Sequence, residues 1–330
     1  MNPFSVTRRG FLASLPLAAA ALSACRQRPY DRDDFATPAR SAVGLFPAAT
    51  YEVDFSDVIY RGLEILRPPV EGKRVFLKPN LVEYEPGTVI NTHPLVVAGA
   101  ADAFLRAGAR EVVVGEGPGH RRDIEYLLTG TGLWEHLNEM RVRFVDLNHD
   151  AVRVVPLRSH FTELAELALP AELLASDFIV SMPKLKTHHW AAMTASMKNL
   201  FGTVPGAVYG WPKNLLHFRG IDNSILDLNA TIRPHFTIVD AVVGMEGDGP
   251  IMGRPRPVGC IAMGSDLVAV DATCARVIGL EPARVPYLAT ASEFLGHLAE
   301  DRIDQRGEPL ARYATQFDLL EQFHRYRLQS

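Results

Sequence analysis

The stretch that decides the fold is residues 74–117, RVFLKPNLVEYEPGTVINTHPLVVAGAADAFLRAGAREVVVGEG. Arg74–Leu77 and Glu111–Gly115 are short runs rich in β-branched and large apolar side chains, each closed by a polar or charged residue. Between them, Pro94–Arg106 carries apolar residues at helical spacing. Thr92 precedes it, and Pro94 stands where a first-turn proline gives up an N–H that would have no partner anyway. Strand, helix and strand in that order predict a βαβ unit, and therefore two neighbouring parallel strands.

Outward from that unit the alternation continues. Towards the N-terminus the pattern predicts strand Ala42–Phe46 and helix Phe55–Leu66. Towards the C-terminus it predicts helix Asp123–Leu137, strands Val142–Leu147 and Val152–Pro156, helix Thr162–Ala175 and strand Phe178–Met182. Helix Ile221–Ile232, strands Phe236–Val243 and Val258–Met263, and helix Leu267–Ile278 follow. The fold class expected is α/β, a mainly parallel sheet with helices on both faces, spanning residues 40–284. Residues 199–220, rich in Gly and Pro, are expected to form a lid or insertion, and residues 285–330 a C-terminal helical extension.

The N-terminus carries a different signal. Thr7-Arg8-Arg9-Gly10-Phe11-Leu12 sets an arginine pair before a short apolar run, as in twin-arginine signals, and the run closes on Leu22-Ser23-Ala24-Cys25, which resembles a bacterial lipobox. The expectation is a signal peptide over 1–24, passage through the twin-arginine translocase, lipidation of Cys25, and a flexible polar tether over 25–39. The protein is then exported and anchored to a membrane through its N-terminal lipid. A formal net charge of −4 with no long basic run argues against nucleic-acid binding. Of three cysteines, Cys260 and Cys274 remain after lipidation, too few for an iron–sulfur cluster held by this chain alone; both are read as core residues.

In open α/β sheets, ligands bind beyond the carboxyl ends of the strands. Polar residues follow the predicted strands at Lys78-Pro79-Asn80, at Glu116-Gly117, at Pro183 to His188, and at Asp240 with Glu246-Gly247-Asp248 beyond it; Gly264-Ser265-Asp266 follows a fifth strand. Lysine usage sharpens the choice. Of 34 basic residues only 6 are Lys, and Lys78, Lys184, Lys186 and Lys198 lie at or near these strand ends. A lysine ammonium is compact and shifts its pKa readily on burial, which suits anion binding and proton transfer. Lys78, Glu116, Lys184, Lys186 and His188 are therefore the catalytic candidates, and Asn80, Lys198 and Asn199 the cofactor-binding ones. Asp240, Glu246 and Asp248 are candidates for a divalent metal. Asp266 reads as a helix cap, Asp271 as a helical acid in need of a partner, and Lys213, in the presumed lid, as a residue apart from the anion site.

The same strand-end segments resemble a family catalogued as domain of unknown function 362. The resemblance runs from about Ser41 to Leu280 and rests on LKPNLV (Leu77–Val82), VGEG (Val114–Gly117), PKLKTH (Pro183–His188), MKNLFG (Met197–Gly202), TIVDAVVGMEGDGP (Thr237–Pro250) and AVDATCARVIGL (Ala269–Leu280). Many members carry added ferredoxin-like cysteine clusters, which this chain lacks. The leading expectation is an enzyme acting on a small anionic substrate through lysines and carboxylates. The alternatives are a non-catalytic anion-binding lipoprotein and a redox accessory working with a separate iron–sulfur partner.

Overall fold

A computed structural model of the chain describes residues 28–120 and 122–329; the signal segment 1–24 and Cys25 lie outside the described residues. In chain order the main elements are β1 (Ser41–Pro47), α1 (Phe55–Leu66), β2 (Arg74–Pro79), α2 (Pro94–Arg106), β3 (Glu111–Glu116), α3 (Ile124–Thr131) and α4 (Leu133–Glu139). β4 (Arg143–Asp146), β5 (Val152–Pro156), β6 (Glu166–Pro170), α5 (Ala171–Leu174), β7 (Phe178–Met182), β8 (Lys184–His188) and β9 (Ala192–Thr194) follow. The chain continues through α6 (Ser196–Asn199), α7 (Gly206–Tyr209), α8 (Asn214–Phe218), α9 (Ile221–Ile232), β10 (Phe236–Glu246), β11 (Arg254–Gly264), α10 (Leu267–Val277), α11 (Pro286–Ala291) and β12 (Ile303–Gly307).

The βαβ unit read from residues 74–117 is present, with β2 and β3 paired in parallel from Arg74↔Glu111 to Leu77↔Val114. The main sheet runs β12-β1-β11-β10-β7-β2-β3-β4. Neighbours are parallel except at β11, which is antiparallel to both β1 and β10. The reason is connection length: the few residues between β10 and β11 suffice for a hairpin but not for a crossover. β11 therefore ends at the opposite edge, where Gly264 lies across from Thr237 at the start of β10. Gly264-Ser265-Asp266 does not join the other strand ends; Asp266 instead caps α10, accepting from Ala269 N at 3.0 Å, as its sequence position predicts.

Side-chain alternation along the strands builds two apolar layers. Val75, Leu77, Phe178 and Val180 pack on one side with α1 to α4, while Phe76 and Ile179 face the other side with α9, α10 and α11. Every residue of β7 is buried, as expected for a central strand covered on both faces. Cys260 and Cys274 are free and buried in this core.

Four local expectations are corrected. The helix expected over 162–175 is a strand, β6, followed by the one-turn α5. Pro170 cannot sit inside a helix, and Leu167 and Leu169 alternate into the core beside β5. The helix expected over 123–137 is broken at Gly132, whose φ of 76° is left-handed. The tether does not extend through residue 39. Tyr30 and Phe35 are buried, and the Tyr30 ring stacks on Phe294 at 3.9 Å, because two aromatic side chains in a polar segment gain by covering apolar surface. Finally, the C-terminal extension is not wholly helical: β12 adds an edge strand parallel to β1.

Candidate functional site

The carboxyl ends of β2, β3 and β7 open onto a cavity of about 520 Å³. β8 extends the β7 line past Pro183, running beside β10 with Lys184 opposite Asp240 and Lys186 opposite Met245. The turn after β10 is fastened over β8, with Thr187 Oγ1 donating to Gly247 O at 2.8 Å and His189 N donating to Gly249 O at 2.9 Å. Gly249 has no alternative there, since a Cβ would strike the Thr187 carbonyl. The segment 199–220 forms the remaining wall through Phe201, Gly202, Pro212, Lys213 and His217.

Two buried ion pairs frame the site. Lys78 Nζ donates to Glu116 Oε2 at 2.7 Å, Pro79 O at 2.8 Å and Asn199 Oδ1 at 3.1 Å, so all three protons are engaged. Glu116 also accepts from Leu81 N and Gly117 N. The pair is sealed by Gly202, where a Cβ would run into Glu116 Oε1 and Lys78 Nζ. Lys184 Nζ donates to Asp240 Oδ2 and Tyr51 Oη, each at 2.6 Å. Asp240 in turn accepts from Tyr51 Oη and His93 N. Burial pulls both lysines below their usual pKa, and the facing carboxylates oppose that shift.

The cavity itself holds a different population. Lys186 is fully buried and donates only to two carbonyls, Ile90 O at 2.8 Å and Pro250 O at 3.2 Å. Burial, reinforced by the like charges of Lys184 and Lys198, depresses its pKa strongly. Lys198 has no hydrogen-bond partner among the described residues; its ammonium lies 4.0 Å from the centre of the Phe201 ring, and burial lowers its pKa to about 7. Lys213 bonds Gly117 O, Asn148 Oδ1 and Val204 O, and burial brings it to about 7 as well. His188 Nδ1 accepts from Trp190 N and Ala191 N, which requires the proton on Nε2; burial holds the ring neutral. Two oxygens on the wall, Thr194 Oγ1 and Asn80 Oδ1, are buried without a partner.

Of the catalytic candidates, Glu116, Lys186 and His188 line the cavity. Lys78 stands behind Glu116, and Lys184 is consumed in its own ion pair away from the cavity wall. The cofactor-binding candidates Asn80, Lys198 and Asn199 all line it, although the Asn199 amide is engaged with Lys78 O and Ser181 Oγ. The metal trio does not gather. Asp240 faces Lys184, Glu246 pairs with Arg254 and Arg256 and accepts from Asp318 N, and Asp248 stands on the rim 3.6 Å from His189. Among the described residues no three His, Cys, Asp or Glu are placed to share a metal ion. Physically, Asp240 and Glu246 sit at opposite ends of one strand segment, and each is satisfied by a nearby cation.

The cavity also includes residues the sequence reading placed elsewhere. Lys213, assigned to a lid apart from the site, has its ammonium in the cavity wall. The scarcity of lysine was signal enough, since only Lys73 of the six lies away from these strand ends. Trp190, Thr194, His217 and Met252 carried no such signal. Asp271 finds its partners outside its own helix, accepting from Ser196 N at 2.7 Å and Met197 N at 3.0 Å, and so positions the turn that presents Lys198.

A family model described as a domain of unknown function (DUF362) matches residues 75–276. The chain is 32% identical over 233 residues to a thylakoid-associated protein of Synechocystis, covering 68% of each. Among solved structures it is similar to the lactate racemase apoprotein of Thermoanaerobacterium thermosaccharolyticum (14% identity, TM-score 0.41, 74% of this chain and 58% of that one). It is also similar to a Thermotoga maritima protein from a structural genomics programme (16% identity, TM-score 0.37, 68% of this chain and 58% of that one). The chain thus spans less than two thirds of the length of either solved relative.

Proposed function

We propose, proceeding from the fact that this chain belongs to the DUF362 family, that it is an exported, membrane-anchored enzyme acting on a small anionic substrate in the cavity at the ends of β2, β3 and β7. One observation carries the reading: Lys186, Lys198 and Lys213 converge on a single cavity, and none has a carboxylate partner among the described residues. Buried cations without counter-charge are costly, and an anionic ligand removes that cost by supplying the charge. The unpartnered Thr194 hydroxyl and Asn80 oxygen add polar contacts, while Trp190, Phe201 and Ile251 favour a ligand with an apolar portion.

In this reading the lysines hold the anionic group. A Lys198 amine moves a proton at the ligand, because burial brings its pKa to about 7, while the neutral His188 ring offers its Nε2–H as a hydrogen-bond donor. Glu116 acts as a positioning group that fixes Lys78 and the Leu81 backbone. The acids read as metal ligands are engaged elsewhere, and no step is assigned to a metal. A non-catalytic binding protein is the second reading, favoured by the complete engagement of Glu116 and Asp240, which leaves only amines and imidazoles as proton carriers.

Export and lipid anchoring rest on the sequence of residues 1–25 alone, and the relative named for thylakoid association supports membrane association. Replacing Cys25 by Ser releases the protein from the membrane fraction, and replacing Arg8 and Arg9 by Lys blocks export; retention or normal export would defeat each reading. The anion site is tested by calorimetry with benzoate. Lys186→Met weakens binding by ~1.5–3 kcal/mol through loss of a charge-assisted hydrogen bond, whereas Lys73→Met, away from the cavity, changes it little. Equal effects of the two substitutions would mean that only general charge attracts the ligand. Native mass spectrometry of protein purified after export, with turnover of any retained compound, separates enzyme from binder.

A further inference from the structure

We propose that the apolar rim of this cavity seats on a lipid bilayer, so that the cavity opens at the surface of the membrane to which the chain is anchored; this deepens the anchoring reading above and rests on it. Phe218 and Met252 are the two most exposed large apolar side chains among the described residues, at 86% and 77%. Trp190 is 58% exposed, and Leu215 is exposed on the same short helix as Phe218. These side chains come from three separate segments, and two of them, Trp190 and Met252, line the same cavity. His217 lines it as well, adjoins Phe218, and has its ring centre 5.2 Å from that of Trp190. Single exposed apolar residues are ordinary on a protein surface, whereas a group from several segments around one opening marks an interaction site.

The position of the anchor selects the occupant. Cys25 is three residues upstream of Arg28, the first described residue, so an extended chain places the lipid within ~11 Å of it. At that point the chain lies against the segment after β5: Tyr30 bridges Ser159, and Pro29 O accepts from His160 N at 2.6 Å. Glu163, three residues further on, pairs with Arg219 at 3.6 Å, and Arg219 is the neighbour of Phe218. One hydrogen bond, three residues and one ion pair therefore connect the root of the anchor to the rim. On this proposal the bilayer that holds the lipid at Cys25 also meets Phe218, Leu215, Trp190 and Met252.

The composition of the rim suits that contact. Trp partitions to the headgroup level, while Phe, Leu and Met enter the acyl boundary. Beside the rim, Arg219 is paired with Glu163, and Asp248 lies 3.6 Å from His189. A lipid on a short linker leaves the domain free to rotate; a second, apolar contact holds the cavity mouth towards the membrane.

The test uses the full chain in phosphatidylcholine vesicles whose acyl chains are brominated near the headgroups. The Trp190 emission is taken as the difference between wild type and Trp190→Phe. At saturating vesicle concentration this signal falls against unbrominated vesicles, as for an indole at the membrane interface. The double substitution Phe218→Glu with Met252→Glu removes the quenching. Both residues are strongly exposed, so the variant retains its fold, verified by an unchanged urea unfolding transition. Flotation with the vesicles reads the anchor separately. Protein that floats without Trp190 quenching overturns the rim while leaving the anchor standing. Protein that fails to float yet shows quenching at saturation supports the rim and defeats the anchor; absence of both defeats both. Quenching that persists in the double variant also overturns the proposal.

Discussion

Raising the pH from 6 to 8 should release an anion from this cavity, and Lys198 should account for a defined part of the loss. Its pKa of about 7 in the free protein follows mainly from burial, with Lys78 adding a like charge and Glu116 opposing. A bound anion favours the ammonium, so apparent affinity is governed by how much of the free protein already carries the proton. For one group titrating near pH 7, that fraction falls about tenfold from pH 6 to pH 8, equivalent to ~1.4 kcal/mol. Lys213, also at about 7, contributes a second decade if its charge is felt at the ligand. His217, lowered to about 4, and His188, lower than usual, are neutral throughout this range and add nothing. Benzoate is the suitable probe because its own charge is constant there. Calorimetry at half-unit pH intervals should show affinity falling by at least one decade, and Lys198→Met should reduce the fall by about one decade, leaving the shares of Lys213 and of Lys186, whose pKa burial also lowers. Every other group of the cavity remains in that variant, so the difference between the two slopes isolates Lys198. A flat profile in wild type, or an unchanged slope in Lys198→Met, would refute the assignment of a titrating amine to the ligand.

Three further outcomes follow from the buried groups around the cavity. Lys78→Met should lower unfolding free energy by ~3–5 kcal/mol because Glu116 is left charged and buried, and the added Glu116→Gln should recover a substantial share in urea titrations. Gly202→Ala should cost ~1–3 kcal/mol and weaken benzoate binding together, since the new Cβ displaces the Lys78–Glu116 pair; full affinity with full stability would show that the wall tolerates movement. Asp271, raised to about 7 chiefly by burial, keeps its proton in the folded state where the unfolded chain loses it. Stability is then greatest below about pH 4 as far as this group is concerned and declines as pH rises towards 7, on the order of 2–4 kcal/mol. Asp271→Asn should flatten that decline in denaturation measured between pH 4 and 7, and an unaltered pH dependence would exclude Asp271 as its source.

The sequence by itself determined the elements whose signal is local. Helices Phe55–Leu66, Pro94–Arg106 and Ile221–Ile232 and strands β5 and β7 occur at their predicted bounds, because period and flanking breakers act within a few residues. It also pointed to the edge where Lys186, Lys198, Glu116, His188 and Asn80 line the cavity, since a parallel sheet carries its strand ends to one edge, but it grouped Lys78 and Lys184 with them, and these stand off the wall. The misread helix over 162–175 shows the limit: an Ala-, Glu- and Leu-rich segment prefers helix on its own, but pairing with β5 and the proline at 170 decide for strand. Only the tertiary structure decided which charges neutralise one another. Lys78 and Lys184 look like Lys186 in sequence, yet Glu116 approaches the first across a parallel strand, Asp240 the second from β10, and no carboxylate reaches the third. That difference depends on the register of strands far apart in the chain and on which side of each the turn after β10 and the segment 199–220 come to rest. The free energy that makes a lysine a ligand group or half of an ion pair lies in those few ångströms, and no spacing along the chain encodes it directly.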